Sequence, residues 1–373
     1  MSAQVSVIKC DSYEPKAVGQ AVRNTVNFLG GLTAFIKPGS SVLVKPNLLM
    51  SKGPECAITT HPEVVRAVIQ MLKEINCKVT VGDGPAAWAK YAENVDEVYN
   101  ITGMKKVCQE EEVRLVILDK RRMRAKFPLT VLLDECDYLI SLPKFKTHEL
   151  TLLTGAIKNL FGLVSGTYKM ELHKNYFEAQ EFANILVDIY QEAKPALTII
   201  DGILAMEGEG PGTSGKARQL NLLLAGSDCV ALDTVMAKIM GITNQEVLST
   251  KEAALRGLGE AQINRIEIKG ENIDKLNIAP FILPTTYNAR RKLPLPVKTM
   301  LKSLIRYYPY CLKSKCILCG QCEKICPHQC IALKNNGIFF NYKKCIACFC
   351  CQETCPEAAI KVKKSFLAKL MGL

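Results

Sequence analysis

Two groups of cysteines near the C-terminus have the spacing of iron–sulfur ligands. Each group reads C-x2-C-x2-C-x3-C-P. Iron–sulfur clusters select soft thiolate ligands, and three cysteines in one tight loop can bind only one face of a cube of four irons and four sulfides. The fourth ligand must therefore come from elsewhere in the chain. The duplicated pattern predicts a module that binds two [4Fe-4S] clusters.

The order of the cysteines predicts which thiols bind which cluster, because in the bacterial-type run the fourth cysteine of each half binds the other cluster. The predicted ligands of cluster 1 are Cys316, Cys319, Cys322 and Cys355, and those of cluster 2 are Cys345, Cys348, Cys351 and Cys326. Structural zinc is the alternative, but zinc ribbons use two C-x2-C pairs separated by a long gap. Residues 316–362 closely resemble the two-cluster bacterial ferredoxin family, which implies an electron carrier.

Three further cysteines of this region have no matching cysteine in the repeat. Cys330 aligns with Ala359, and Cys350 aligns with Gln321, so neither position holds a cysteine in both halves. We expect Cys330 to pack in the core and Cys350 to point away from cluster 2. Cys311 lies outside the repeat, and the sequence does not indicate its role.

The composition is that of a globular protein, since 48% of the 373 residues are hydrophobic and 23% are charged. No apolar run reaches the roughly 18 residues of a membrane span, and the N-terminus lacks a signal-peptide pattern. We therefore expect a cytoplasmic protein, in which clustered thiols indicate metal rather than disulfides. The other cysteines are expected to be buried small hydrophobic residues: Cys10, Cys56, Cys77, Cys108, Cys136 and Cys229.

The net charge of +12 is concentrated toward the C-terminus. Residues 311–373 contain ten Lys and three Glu. Positive surroundings stabilise the reduced, more negative state of a cluster. They also favour an acidic redox protein or an anionic small molecule as the partner. Simple solvation of the basic linker is the alternative. Nucleic acid is not expected, because no stacking platform accompanies the charge. An apolar stripe in the linker makes membrane-surface contact a minority interpretation: Val297, Met300, Leu301, Leu304 and Ile305. The oligomeric state has no sequence signal.

The first 280 or so residues alternate short apolar runs with amphipathic segments, such as the predicted helix from His61 to Glu74. This alternation predicts an α/β domain with a parallel or mixed sheet, followed by a small α+β domain of ferredoxin type. The predicted parts are the α/β domain 1–284, the basic linker 285–310, the two-cluster domain 311–362 and the tail 363–373. The predicted strands are 5–8, 42–45, 79–81, 115–118, 138–142, 197–200 and 220–224.

Polar residues follow several of these strands and are expected to meet in one cleft, because ligands bind outside the carboxyl ends of strands in open α/β sheets. His148 and Asp83 are candidates for proton transfer. Candidate residues for an anionic ligand are Lys45, Asn47, Lys144, Lys146, Lys158 and Asn159. The segment 210–217 resembles a P-loop, but Ala217 replaces the required Ser or Thr, and the following residues are typical of a strand. A flexible lid or an anion-binding loop is expected there instead.

Several of these segments together resemble a known family. The blocks KPN, TTHPE, GDGP, LPKFKTH, GAIKNLFG, DGI with MEGEGP, and GSDCVALDTVMAKIMG are similar, in this order, to the signature blocks of the family known as domain of unknown function 362. The resemblance covers nearly all of residues 1–270, and members are frequently fused to a two-cluster ferredoxin module. It implies an anionic-ligand or cofactor site of unknown chemistry.

Two functions follow as hypotheses. The first is an iron–sulfur electron-transfer protein or oxidoreductase of anaerobic metabolism that passes electrons through both clusters to or from a ligand or partner at the α/β domain. The second is a non-catalytic protein for binding, redox sensing or cluster maturation, in which the clusters are structural.

Overall fold

The computed structural model of the chain describes residues 3–84, 95–164, 168–176, 178–287, 307–334 and 337–370. Within these residues a large α/β domain surrounds one mixed, mostly parallel sheet, and a small strand-rich region follows it. The strands of the large domain are β1 Ala3–Lys9, β2 Ser41–Pro46, β3 Lys78–Asp83, β4 Arg114–Ile117, β5 Arg121–Arg124, β6 Phe127–Thr130, β7 Tyr138–Leu142, β8 Lys144–His148, β9 Leu152–Thr154, β10 Leu197–Gly208, β11 Gly215–Gly226 and β12 Ile266–Gly270.

The order of strands in the main sheet places a switch point beside β2. The order is β12, β1, β11, β10, β7, β2, β3, β4, with β8 beside β10 and β9 beside β8. All described neighbours are parallel except the pairs of β11 with β1 and β10, and of β9 with β8. The chain runs outward from β2 to β4 and then returns to place β7 on the other side of β2. Ligands bind at such a reversal, outside the carboxyl ends of the strands.

Helices cover both faces of the sheet and bury two cores. They are α1 Pro15–Asn27, α2 Pro62–Glu74, α3 Val95–Ile101, α4 Met104–Glu110, α5 Leu132–Glu135, α6 Ala156–Asn159, α7 Tyr168–Asn175, α8 Ala179–Ala193, α9 Cys229–Met240 and α10 Leu248–Leu255. Alternate residues of a strand face opposite sides. Val42 and Val44 therefore pack in the core with α1 and α2, and Leu43 packs in the core with α8 and α9. Burial on both faces explains why these strands are continuous apolar runs.

The seven predicted strands and the predicted helix are all present. His61 is the N-cap residue of α2, and its Nδ1 accepts a hydrogen bond from Glu63 N at 3.2 Å. The segment after the near P-loop forms β11, as expected. Strand β8 was not predicted, because its polar side chains interrupt the apolar pattern although all five residues are buried. Of the scattered cysteines, Cys56 and Cys136 are partly exposed and the other four are buried.

The cysteine-rich region contains two antiparallel strand pairs. Its elements are β13 Tyr307–Cys311, α11 Gln321–Ile325, β14 Ile331–Lys334, β15 Gly337–Phe340, α12 Cys350–Glu353, β16 Ile360–Lys364 and α13 Phe366–Leu370. Strand β13 pairs with β16, and β14 pairs with β15. Ile331 and Ile360, which align in the repeat, begin β14 and β16, so each half of the repeat leads into a strand.

The predicted amphipathic stripe of the linker lies in residues 288–306, outside the described residues. The boundaries of the four predicted parts stay predictions. Within the described ranges, no helix has both the length and the apolar character needed to cross a membrane.

Candidate functional site

A cavity of about 80 Å³ lies at the carboxyl edge of the sheet, beside the switch point. Seven of the eight residues predicted for the cleft line it: Lys45, Asn47, Asp83, Lys146, His148, Lys158 and Asn159. Lys169 and Glu353 also line it, although neither was predicted. Glu353 had one usable signal, because it is the only acidic residue between the cysteines of the second motif.

A buried ion pair forms the floor of this cavity. Lys45 Nζ lies 2.8 Å from Asp83 Oδ1, and their side chains are 0% and 2% exposed. Leu48 N donates to Asp83 Oδ2 at 2.7 Å, and Lys45 Nζ donates to Asn159 Oδ1 at 3.3 Å. A Cβ atom at Gly162 would lie 2.3 Å from Asp83 Oδ1, so only glycine fits beside the pair. The Asp83 carboxylate is thus committed to Lys45 and to the backbone.

Two other lysines of the cavity form no ion pair among the residues that the structure describes. Lys146 Nζ donates to Ile58 O at 2.7 Å. Lys158 Nζ lies 4.9 Å and 5.1 Å from the ring centres of Phe161 and Phe182. Burial, reinforced by the nearby Lys158 ammonium, lowers the pKa of Lys146 to about 7. Both ammonium groups would gain from a bound anion.

Lys144 lies apart from this cavity, although it is only two residues before Lys146 on β8. Its Nζ lies 2.7 Å from Asp201 Oδ2, and both side chains are fully buried. Tyr13 Oη donates to Asp201 Oδ1 at 2.7 Å, and His61 N donates to Oδ2 at 2.9 Å. The register between β8 and β10 shifts after Asp201. The two lysines therefore have different surroundings, and the structure does not bring Lys144 together with the other candidates.

His148 stands between the cavity and the cysteine-rich region. Its Nδ1 accepts a hydrogen bond from Leu150 N at 3.1 Å, which leaves the proton of the neutral ring on Nε2. Nε2 lies 3.6 Å from Glu353 Oε1. Burial raises the pKa of Glu353 to about 7, and the nearby Lys158 and Lys146 oppose this rise. The Nε2–H group of His148 is therefore oriented to donate a hydrogen bond toward the cavity wall.

The cysteine thiols are grouped as iron–sulfur ligands would be. The four predicted ligands of cluster 1 line one cavity. Burial and the neighbouring Cys319 and Cys355 thiols raise the pKa of Cys322 to about 12. Burial, with Cys348, Cys345 and Cys326 nearby, likewise raises the pKa of Cys351. Thiols so crowded ionise when a metal supplies positive charge, so the donor sets fit a [4Fe-4S] cluster. The individual assignments stay predictions.

The three additional cysteines each lie beside a predicted ligand. Cys330 Sγ is 3.2 Å from Cys326 Sγ, and Cys330 is also part of the apolar core of this region. Cys350 is hydrogen-bonded to Cys348, and Cys311 is hydrogen-bonded to Cys316. Among the residues that the structure describes, no group of three or more His, Cys, Asp or Glu side chains could hold a single metal ion.

The loop between β10 and β11 joins the two parts of the molecule. Thr213 Oγ1 donates to Cys355 O, and Lys361 Nζ lies 3.5 Å from Ser214 Oγ. A Cβ atom at Gly212 would lie 2.5 Å from Glu353 O, so this glycine allows a close backbone approach. The expected lid or anion-binding loop is thus packed against the cysteine-rich region, at the segment that carries Glu353.

Comparisons with known proteins agree with this two-part organisation. Residues 313–332 match the family described as 4Fe-4S binding domain, which supports iron–sulfur binding and electron transfer but gives no cluster count. The thylakoid-associated protein of Synechocystis sp. is 35% identical over 253 residues, covering 64% of this chain and 75% of that protein. The lactate racemase apoprotein from Thermoanaerobacterium thermosaccharolyticum aligns with a TM-score of 0.42 and 13% identity, over 64% of this chain and 57% of that chain. None of these matches concerns anaerobic metabolism.

The first part of the chain matches a family over more than half of the total length. Residues 42–238 match the model described as domain of unknown function (DUF362). The motif blocks that line the cavity, KPN, LPKFKTH and GAIKNLFG, all lie within this range. The chain therefore belongs to the DUF362 family and carries a C-terminal ferredoxin-like module.

Proposed function

We propose that the protein is an iron–sulfur electron-transfer protein with two [4Fe-4S] clusters, which exchanges electrons with an anionic ligand in the cavity of the α/β domain. Each bound cluster would accept and release one electron. One observation carries the proposal: Glu353, which lies between the predicted ligands Cys351 and Cys355, lines the same cavity as Lys45 and Lys146. The loop that carries Cys351, a predicted ligand of cluster 2, would therefore hold that cluster beside the cavity.

The proposed roles of the cavity residues follow from their contacts. Lys146 and Lys158 would hold the anionic group, because neither ammonium forms an ion pair with a residue in the described part of the chain. His148 would donate a hydrogen bond to the anionic group through Nε2–H, since Nδ1 is already an acceptor. Asp83 would position Lys45 rather than act as a base, because its carboxylate is bound to Lys45 and to Leu48 N.

The exposed end of the module suits a soluble redox partner. Cys319, a predicted ligand of cluster 1, is exposed, and Ile317 beside it is 63% exposed. Lys313, Lys315 and Lys324 surround this part of the sequence. An acidic electron carrier would be attracted there and would exchange electrons with cluster 1, while cluster 2 would face the cavity.

Anaerobic reconstitution tests the proposal. The holoprotein is expected to contain about eight irons and eight sulfides per chain. The visible absorbance of the clusters should bleach on addition of a low-potential reductant and return on reoxidation. A protein that holds the iron but never bleaches reversibly would have structural clusters, and the electron-transfer proposal would then be wrong.

Gly212→Ala is expected to weaken the contact between the two parts of the molecule, because its Cβ would lie 2.5 Å from Glu353 O. The cost of such overpacking is about 1 to 3 kcal/mol. Hydrogen exchange measured by mass spectrometry should become faster in peptides covering β8 and α12. Gly19→Ala in α1 is the matched control, since a Cβ there meets nothing within 4 Å. Unchanged exchange in the Gly212 variant would contradict the packing that places Glu353 at the cavity.

The proposed location is the cytoplasm, because the clustered thiols require reducing conditions. The cyanobacterial relative is named as thylakoid-associated, and residues 290–306 of this chain carry six basic and no acidic residues, so peripheral contact with an anionic membrane is a second arrangement. Co-sedimentation of the holoprotein with vesicles containing anionic lipid separates the two. Binding that disappears at high salt supports membrane contact, whereas no binding supports the cytoplasm alone.

A further inference from the structure

The cavity beside the ferredoxin-like module has an excess of positive charge. Four lysines line it, Lys45, Lys146, Lys158 and Lys169, against the two carboxylates of Asp83 and Glu353. Lys45 is paired with Asp83, whereas Lys146 and Lys158 form no ion pair with the residues that the structure describes. Buried ammonium groups without counter-charges are costly, so an occupant carrying two negative charges would complete the site.

Two polar groups of the cavity also lack partners. The Thr154 side chain is 3% exposed, and its Oγ1 has no hydrogen-bond partner within the described chain. Asn47 Oδ1 also has no hydrogen-bond partner within the described chain. Thr154 can donate a hydrogen bond to a bound oxyanion. Asn47 Oδ1 can only accept one, so a complementary occupant must also carry a donor.

The orientation of the Asn47 amide follows from its neighbours. Lys45 Nζ can only donate, so the Asn159 atom 3.3 Å from it must be the acceptor Oδ1. Asn47 approaches that same Oδ1 at 3.1 Å and must present its Nδ2 donor. The opposite amide nitrogen of Asn159 lies 2.9 Å from Ser141 Oγ. The network that begins at Lys45 therefore assigns the unpartnered atom of Asn47 as an oxygen.

We propose that this cavity binds a small oxyanion that carries two negative charges and one hydroxyl donor. Hydrogen phosphate and a short hydroxy-dicarboxylate both have this chemistry. The volume of about 80 Å³ has room for roughly five to eight water molecules, which suits ligands of this size. The role of the bound anion in electron transfer rests on the proposed function. Binding of the anion does not, because it does not require reduction of the clusters.

Calorimetric titration of the oxidised holoprotein at constant ionic strength tests the proposal with two matched pairs of probes. Inorganic phosphate is compared with sulfate at a pH where phosphate is mainly the dianion, and hydroxymalonate is compared with malonate. The hydroxylated member of at least one pair is expected to bind about tenfold more tightly than its partner, because it alone can pair with Asn47 Oδ1. The pair that discriminates identifies the source of the oxyanion.

Thr154→Val gives the decisive variant. Its hydroxyl has no partner to lose among the described residues, so the thermal midpoint should be unchanged or higher, while affinity for the bound anion should fall about tenfold. Lys146→Met should abolish binding, and Lys251→Met, at an exposed position on α10, should leave it unchanged.

Several outcomes would overturn the proposal. One is that no probe binds. Another is that all four probes bind equally to the wild type and to the Thr154→Val protein. A third is that Lys146→Met shifts only the reduction potential of a cluster, which would mean that the lysines balance the charge of cluster 2. Reversible bleaching is measured separately, so failure of anion binding and failure of electron transfer are distinguishable.

Discussion

Asp201→Asn is expected to lower the free energy of unfolding by about 3 to 5 kcal/mol, because it leaves the Lys144 ammonium buried without its counter-ion. Four donors point at this carboxylate. Tyr13 Oη and Ile203 N donate to Oδ1, while Lys144 Nζ and His61 N donate to Oδ2. An asparagine must turn its own amide donor toward one of these pairs, so it cannot satisfy them all.

Urea unfolding of the holoprotein under anaerobic conditions, followed by circular dichroism, measures this loss. Asp274→Asn is the matched control, because it makes the same chemical change in an exposed ion pair with Lys238. Such surface pairs contribute about 0 to 1 kcal/mol. Similar losses in both variants would show that burial of the Lys144–Asp201 pair adds nothing to stability beyond a surface ion pair.

Cys351→Ser is expected to remove about half of the bound iron, because serine oxygen is a harder and poorer ligand for an iron–sulfur cluster than thiolate. Cys351 is a predicted ligand of cluster 2 and is buried among the other predicted ligands of that cluster. The remaining iron should bleach as a single cluster. Iron and sulfide analysis, together with electron paramagnetic resonance of the reduced protein, provides the measurement.

Cys350→Ser is the control, since it makes the same change one residue earlier in the chain. Cys350 is buried and hydrogen-bonded to Cys348, but the repeat aligns it with Gln321, which cannot bind a cluster. This protein should keep both clusters. Equal loss of iron in the two variants, or loss only in the Cys350 variant, would reverse the ligand assignment.

Much of this architecture was predictable because it depends on local patterns. The ligand loops are short, so the spacing of the cysteines reflects the shape of the cluster directly. The strands around β2 are buried on both faces, and burial alone makes them continuous apolar runs. Strand β8 escaped prediction because Lys144, Lys146 and His148 alternate along it and are nevertheless buried. Their burial depends on partners that are distant in sequence.

In the candidate site, the residue types were predictable from the sequence, whereas the contacts between them were not. Its lysines and its histidine could be named from the residue types at strand ends, because the carboxyl edge of a parallel sheet collects such groups. The separation of Lys144 from Lys146 could not be predicted from the sequence. It results from a register shift of β8 against β10, which gives different surroundings to two side chains only two residues apart. The contact of Glu353 with the cavity was equally hidden, because it depends on packing between segments about 140 residues apart, such as Thr213 with Cys355.

Local spacing therefore determines that this chain has cluster-binding loops and an α/β sheet with a polar carboxyl edge. Which lysines face one cavity, and which cysteine loop approaches it, depends on long-range packing and strand register. These features arise only when distant segments meet, and no periodicity along the chain encodes them.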